Sequence, residues 1–403
     1  MVDLAGLSTA LRRQGMGWPG FIIDKTALSV NLERVLPRAR AERLRLVLKS
    51  LPCPSLVDHL MHQADTTKLM VFHLPNLLAA ARRWPNADLM LGKPLPAAAV
   101  DAFYRHFRAD SGFDPTRQLH WLVDDAARVR SLAELAKAHG VRMSVVIELD
   151  VGMHRGGATD AKALIDVLAA LGHVVPFLRL AGFMGYDAQA GRAPFWVGRK
   201  RAVKAANRRY REFLGLVQRE APALWPQQPL INGSGSPTCT DHDEGSPLNE
   251  LAIGSVLVKP AEFDLPQLSA FQPACWIAAP LIKRMAGVRL PFLEALAPLS
   301  WRDTVFAYGG RWAARPEWPQ GLRPSRLYGP SFNQQFFTVP RQSPVQVDDF
   351  IFFRPLQSEQ LMRQFGMVTM VEQGQIVERW PVLDSFQNLA LSGWGGSESA
   401  AEC

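Results

Sequence analysis

Residues 43–54 read RLRLVLKSLPCP, an apolar run from Leu44 to Leu48 that is stopped by Lys49 and then by Pro52 and Pro54. A run this short, bounded by prolines, has strand length, and the stretch after it, 55–63, has the longer amphipathic spacing of a helix. The same unit recurs along the chain. Strand candidates fall at 44–48, 69–72, 88–91, 119–123, 144–149, 178–183, 230–232 and 251–258. Helical stretches lie between them at 55–63, 77–83, 97–107, 126–139, 161–171 and 204–220. Repeated strand-then-helix units require parallel strands joined by right-handed crossovers. Eight such strands in roughly 215 residues fit a closed (β/α)8 barrel, which typically takes ~250. A doubly wound sheet is the competing reading. It lacks a G-x-G-x-x-G after the first strand, and eight is the number that closes a barrel.

The texture changes near residue 261. Trp276, Trp301, Phe306, Tyr308, Trp312, Trp318, Phe336 and Phe337 crowd a proline-rich region of weak helical periodicity. Strands are expected at 345–354, 367–372 and 375–380, the last two joined by a turn at Gln373-Gly374. The predicted fold is therefore α/β: a (β/α)8 TIM-type barrel over 21–260, and a mostly β C-terminal domain over 261–403. An N-terminal segment, 1–20, is expected to pack with the β domain.

Composition fits this plan. The 403 residues are 48% apolar and 20% charged, enough for two globular domains and too apolar for a disordered chain. Lys and Arg exceed Asp and Glu by 45 to 37, a net charge of +8. The one dense basic run, Arg199 to Arg209, sits on a helical stretch and reads as a solvated face, so no nucleic-acid partner is expected. The four cysteines, Cys53, Cys239, Cys275 and Cys403, form no C-x-x-C pair, which excludes a disulfide framework and a zinc ribbon. Asp3 and the lack of a long apolar core argue against a signal peptide. Pro176 and Arg179 interrupt the most apolar stretch, so no membrane partner is expected and the expected compartment is the cytoplasm.

Several residues at predicted strand ends could carry chemistry. Lys49 closes the first strand, and strand C-termini form the active-site face of a barrel. A lysine there is a snorkelling surface residue or an amine poised for Schiff-base chemistry. The run Ile231-Asn232-Gly233-Ser234-Gly235-Ser236-Pro237-Thr238 follows the seventh strand. Its glycines and hydroxyls make either a plain turn or an anion nest, and Gly254-Ser255 could add donors. Glu148 to Gly157 ends the fifth strand and offers Arg155 as an anchor for an anion. Tyr186, ending the sixth, is a packing ring or a hydroxyl donor and proton carrier. Arg354-Pro355-Leu356-Gln357-Ser358-Glu359 supplies only oxygen donors, suited to harder ions than zinc, or is a hydrogen-bonded turn.

In this order, these elements resemble the fold-type III pyridoxal-phosphate enzymes, specifically the D-threonine aldolase and D-serine dehydratase group. The resemblance rests on Lys49 with Cys53-Pro54, D-x-G-x-x-R-G from Asp150 to Gly156, and G-x-x-G-Y from Gly182 to Tyr186. The loop from Gly233 to Thr238 and N-E-x-x-x-G-S from Asn249 to Ser255 complete it. It implies an alanine-racemase-like barrel with a C-terminal β domain, usually a homodimer, using pyridoxal 5′-phosphate on a small amino-acid substrate. It further implies that Lys49 holds the cofactor as a Schiff base, that Arg155 and Tyr186 line it, and that Gly233, Ser234, Gly235, Ser236, Gly254 and Ser255 cradle its phosphate. One departure stands out. The family's P-x-H-x-C or P-x-H-x-D metal pair is replaced by Gln357 and Glu359, and the histidine of G-Y-x-G-H by Gln189. This puts a divalent metal in question, with Glu359 the one ligand left of the pair, and offers Gln357 and Glu359 as polar groups for the β-substituent. The expected activity is a lyase on a D-amino acid or 3-hydroxy amino acid, by aldol cleavage or β-elimination. The alternatives are a racemase or epimerase with Tyr186 or a residue of the partner subunit as second base, and a non-catalytic pyridoxal-phosphate-binding protein.

Overall fold

A computed structural model describes residues 2–39, 43–107, 111–289, 291–292, 294–325 and 329–383; Cys403 and the C-terminal tail lie outside the described residues. The chain opens with helix α1 (Leu4–Arg13), strand β1 (Gly20–Asp24) and helix α2 (Lys25–Val35). Asp3 starts α1 by accepting a hydrogen bond from the Ala5 N–H at 3.1 Å, and Arg12 and Arg13 sit at its negative end.

Eight strands then follow: β2 (Leu44–Val47), β3 (Lys68–Val71), β4 (Asp88–Leu91), β5 (Leu119–Val123), β6 (Met143–Glu148), β7 (Leu178–Gly185), β8 (Leu230–Gly233) and β9 (Glu250–Ile253). They form a closed, all-parallel barrel in chain order, sealed where β9 pairs with β2 at Leu44 and Leu251. The predicted TIM-type barrel is the observed one. The intervening helices are α3 (Pro54–Ala64), α4 (Leu74–Arg83), α5 (Ala97–His106), α6 (Pro115–Gln118), α7 (Ala126–Ala138), α8 (Ala161–Gly172) and α9 (Arg199–Glu220). Aspartates cap α7 and α8: Asp125 accepts from the Arg128 N–H, and Asp160 from the Ala163 N–H.

The second unit is built on a nine-stranded sheet. After α10 (Ser255–Val258) come β10 (Cys275–Met285), β11 (Arg302–Tyr308), β12 (Ala314–Trp318), β13 (Arg323–Pro324), β14 (Gln334–Pro340) and β15 (Phe350–Pro355). Helix α11 (Ser358–Phe365) and the hairpin β16 (Met367–Glu372) and β17 (Gln375–Pro381) complete it. The hairpin turns on Gln373 and Gly374, both left-handed (φ 50° and 75°), as a two-residue turn matched to strand twist demands. Strand β1 lies inside this sheet, antiparallel to β10 and parallel to β16. Leu7 and Leu11 of α1 pack with Ile22, Trp276, Phe350 and Phe352 into one buried cluster.

Three sequence expectations differ from these elements. Residues 20–24 were read as the start of the barrel domain, but the strand belongs to the sheet. The units divide as 1–34, 50–56 and 255–383 against 35–49 and 57–254. The eighth barrel strand ends at Ile253 rather than 258, because 255–258 turn helical, with the Lys259 N–H bonded to the Ser255 carbonyl at 2.8 Å. An apolar run is buried either way, so its pattern alone does not separate strand from helix. The strand expected from 345 begins at Phe350, since Asp348 adopts a left-handed turn (φ 71°) just before it. Among the described residues no helix is long and apolar enough to cross a membrane.

Candidate active site

In a parallel barrel every strand delivers its C-terminal end to one face, and loop residues there converge. At the end of β2 a single 3-10 turn, Leu48–Ser50, carries Lys49. Its Nζ lies 4.4 Å from the ring centroid of Phe72, the residue after β3, where the ring face favours an ammonium. The ends of β6, β7 and β8 bring Arg155, Tyr186 and the 233–238 loop to the same face. The Arg155 guanidinium carbon sits 4.6 Å from the Tyr186 ring centroid. Burial raises the Tyr186 phenol above its ordinary value, and the charge of Arg155 opposes that shift.

Behind the ring runs the glycine loop. Ser234 is left-handed (φ 67°), the conformation that turns successive N–H groups into an anion-binding concavity. The Thr238 N–H closes the turn on the Gly235 carbonyl at 3.0 Å. Gly235 itself is fixed by space: a Cβ there would stand 2.6 Å from Tyr186 Cε2. Gly235→Ala is expected to push the ring out of place and to weaken binding of pyridoxal 5′-phosphate at least about tenfold, read by absorbance titration.

Three sets of contacts at this face lie beyond what the sequence pattern gives. Glu148, the last residue of β6, is buried, and burial first and then Asp124 push its carboxyl up to about 7, against the pull of Arg155. The sign follows from linkage. Between the unfolded value near 4.5 and about 7 the folded chain holds a proton the unfolded chain has released, so this site costs stability progressively over that window and fully above it. Glu148→Gln is thus expected to stabilise the fold at pH 8 by on the order of 2 kcal/mol, read as a higher thermal midpoint, and to change it little at pH 4.5. Second, Asp150 grips the following turn. Its Oδ1 accepts from the N–H groups of Gly152 (3.0 Å) and His154 (2.9 Å), and Oδ2 lies 2.7 Å from His154 Nδ1. Burial would raise this carboxyl, but those bonds hold it below its ordinary value. Third, Asp187, next to Tyr186, bonds Thr238 of the loop and His242. Only the motif run from Glu148 hinted at the first two; the third joins residues far apart in sequence.

Of the remaining predicted residues, Ser255, Gln357 and Glu359 belong to the other unit and Gly254 to the barrel unit. Ser255 Oγ is 2.9 Å from Ser50 Oγ, and Ser358 Oγ donates to the Ser50 carbonyl at 3.0 Å, so both are bonded to the residue that follows Lys49. Gln357 precedes α11, exposed, and its Nε2 donates to Glu262 Oε2 at 3.0 Å. Glu359 occupies the first turn of α11, where its charge acts on Arg363 one turn on. Gly254 is buried directly after β9. Among the described residues no three His, Cys, Asp or Glu side chains converge as a metal site requires.

This face, with a lysine after the first barrel strand and a glycine loop after the seventh, agrees with a comparison of families. The profile described as alanine racemase, N-terminal domain, matches residues 23–261. The chain belongs to this family. Membership of the alanine racemase N-terminal domain family implies use of pyridoxal phosphate. A curated relative, the 3-hydroxy-D-aspartate aldolase of Paracoccus denitrificans (strain Pd 1222), is 26% identical over 141 residues. That match spans 35% of this chain and 35% of the relative's own length. Among solved structures, the D-threonine aldolase from Filomicrobium marinum superposes with a TM-score of 0.70 at 19% identity, covering 91% of this chain and 97% of that one. The D-threo-3-hydroxyaspartate dehydratase from Delftia sp. HT23 gives 0.66 at 16% identity, over 91% and 97%. The alanine racemase from Bacillus anthracis gives 0.67 at 14%, over 91% and 98%. These likenesses establish a shared fold for the family member described above.

Proposed function

We propose that this chain is a pyridoxal-phosphate-dependent lyase acting on a D-amino acid or a 3-hydroxy amino acid. The observation that carries the reading is the glycine loop pressed against Tyr186, on the barrel face that also bears Lys49, in a chain of this family. The residues fit the cofactor: Gly235 leaves a cradle that a Cβ would fill, and Ser234 has the backbone of an anion nest. Bound there, pyridoxal phosphate supplies a carbonyl that condenses with amines and a ring that takes up electrons released at the substrate's Cα. Lys49 would hold the group through Nζ and afterwards move the proton at Cα. Arg155 and Tyr186 would orient the ring. The backbone and hydroxyls of Gly233, Ser234, Gly235, Ser236, Gly254 and Ser255 would hold the phosphate. Glu359 is the carboxylate we assign to the β-hydroxyl, where it would accept the proton, and Gln357 the neutral donor; Glu359 is also the one residue of that pair able to ligate a divalent metal.

A lyase is put ahead of a racemase because the curated relative is named an aldolase and two of the solved structures are named an aldolase and a dehydratase. We further propose a homodimer working in the cytoplasm. Exposed Phe195, Trp196, Phe292, Trp301 and Phe332 support association, and the buried free thiols of Cys239 and Cys275 suit a reducing compartment.

The test is direct. Purified protein should be yellow, and borohydride reduction followed by peptide mapping should fix a pyridoxyl group on Lys49. A screen of D- and 3-hydroxy amino acids, with and without chelator, should then release an aldehyde or a keto acid. A colourless protein that binds no added pyridoxal phosphate would overturn the reading. Deuterium entering Cα of both enantiomers without carbonyl product would replace it with the racemase.

A further inference from the structure

The loop after β8 is held to the end of β7 by a buried bracket. Asp187 follows Tyr186 directly, and its carboxylate is divided between two partners. Oδ1 accepts from Thr238 Oγ, the last residue of the glycine loop, at 2.7 Å. Oδ2 lies 2.9 Å from His242 Nε2, while His242 Nδ1 lies 3.0 Å from Ser246 Oγ. The arrangement is self-consistent: Nε2–H donates to the carboxylate, and Nδ1 accepts from the serine hydroxyl. Asp187, Thr238 and His242 are all buried, so these bonds do not exchange freely with water.

The bracket meets a mechanical need. Ser234, with its left-handed backbone, holds a conformation that is strained for a residue with a side chain and persists only where the surroundings over-determine it. The loop is also clamped from outside, since Gly191 lies so close that a Cβ there would stand 2.4 Å from Pro237 Cβ. Between them, these contacts fix the loop's N–H groups relative to the Tyr186 ring.

We infer that Asp187, through Thr238 and His242, is a positioning group that presets the loop for a phosphate monoester, and so sets affinity for the phosphate end of the cofactor without acting on its carbonyl end. This rests on the proposed use of pyridoxal phosphate at this face. None of the three side chains is placed against the reacting atoms, so none is a catalytic residue. Their effect is expected to separate two ligands that differ only in the phosphate.

The experiment compares pyridoxal 5′-phosphate with pyridoxal, which keeps the carbonyl and lacks the phosphate. Full-length protein is stripped of cofactor with hydroxylamine and titrated with each ligand by absorbance. Thr238→Val removes the hydroxyl while keeping the shape; Asp187→Asn weakens both bonds; Thr238→Ser restores the hydroxyl. Thr238→Val and Asp187→Asn should weaken pyridoxal 5′-phosphate about tenfold or more, leave pyridoxal within about twofold, and Thr238→Ser should recover the wild-type ratio. Equal weakening of both ligands would mean a merely structural role and would overturn the inference, as would unchanged affinity for both. Wild-type protein that binds neither ligand would instead overturn the cofactor reading, and the inference with it.

Discussion

Lys49→Ala is expected to lower turnover of the amino-acid substrate by at least about a thousandfold, because one side chain is asked both to hold the cofactor and to move the proton at Cα. Thermal midpoints of the cofactor-free variant and cofactor-free wild type, measured side by side, separate a chemical loss from a structural one. Added methylamine should return part of the activity by supplying the missing amine in solution. Borohydride should no longer mark the peptide spanning residue 49. An alanine variant that keeps normal turnover would remove Lys49 from the chemistry altogether.

The second large effect is expected at the opposite end of the barrel. Arg45, in β2, is fully buried, and its guanidinium grips Glu250 through two bonds of 2.8 and 3.0 Å and Asp88 through one of 2.8 Å. Lys68 adds a further 2.8 Å pair with Glu250. Glu250, Asp88 and Lys68 are the first residues of β9, β4 and β3, so this polar layer plugs the barrel where its strands begin. Arg45→Met leaves two carboxylates facing each other with their main counter-charge gone, and is expected to cost about 3–5 kcal/mol, measured as the shift of the urea midpoint. Adding Glu250→Leu should recover part of that loss, since removing both partners of a buried pair costs less than removing one. The pH dependence has a definite sign. Burial alone would raise both carboxyls, but Arg45 overrides it and holds each below its ordinary value. Their contribution is therefore complete above the unfolded carboxyl range near pH 4–5, and it drains away as pH falls toward the lower folded values. Wild type should lose stability over that acid range faster than the Arg45→Met, Glu250→Leu protein.

These two ends of the barrel were not equally legible in the sequence. The alternation of short apolar runs with helical stretches locates all eight barrel strands to within a few residues, because a parallel strand buried on both faces must be apolar throughout. Lys49 stands out since a charge breaks that rule where a strand ends. Arg45 breaks the same rule inside the same run, and nothing in RLRLVLK tells which basic residue finds carboxylates waiting for it. Those partners lie 43 and 205 residues away. Glu148 closes its strand in a run that gives no sign of its surroundings, and only the fold brings Asp124 near enough to act on it. The bracket of Asp187 joins residues 51 and 55 positions apart, again beyond any local pattern. The place of β1 is hidden for the complementary reason: five buried residues in a row look alike whichever sheet buries them.

That same stretch has a bearing on how the chain is made. β1 is made before every barrel strand, yet the strands that flank it, β10 and β16, are made after the last of them. The barrel has every partner it needs as soon as β9 emerges, whereas Phe21, Ile22 and Ile23 keep both edges open until β10 follows and one edge open until β16 is made. A ribosome stalled between β10 and β16 would carry a finished barrel and a β1 with one unsealed edge. Nascent chains of this protein should thus be most exposed to aggregation at β1, and most dependent on chaperones, in the interval before β16 is translated.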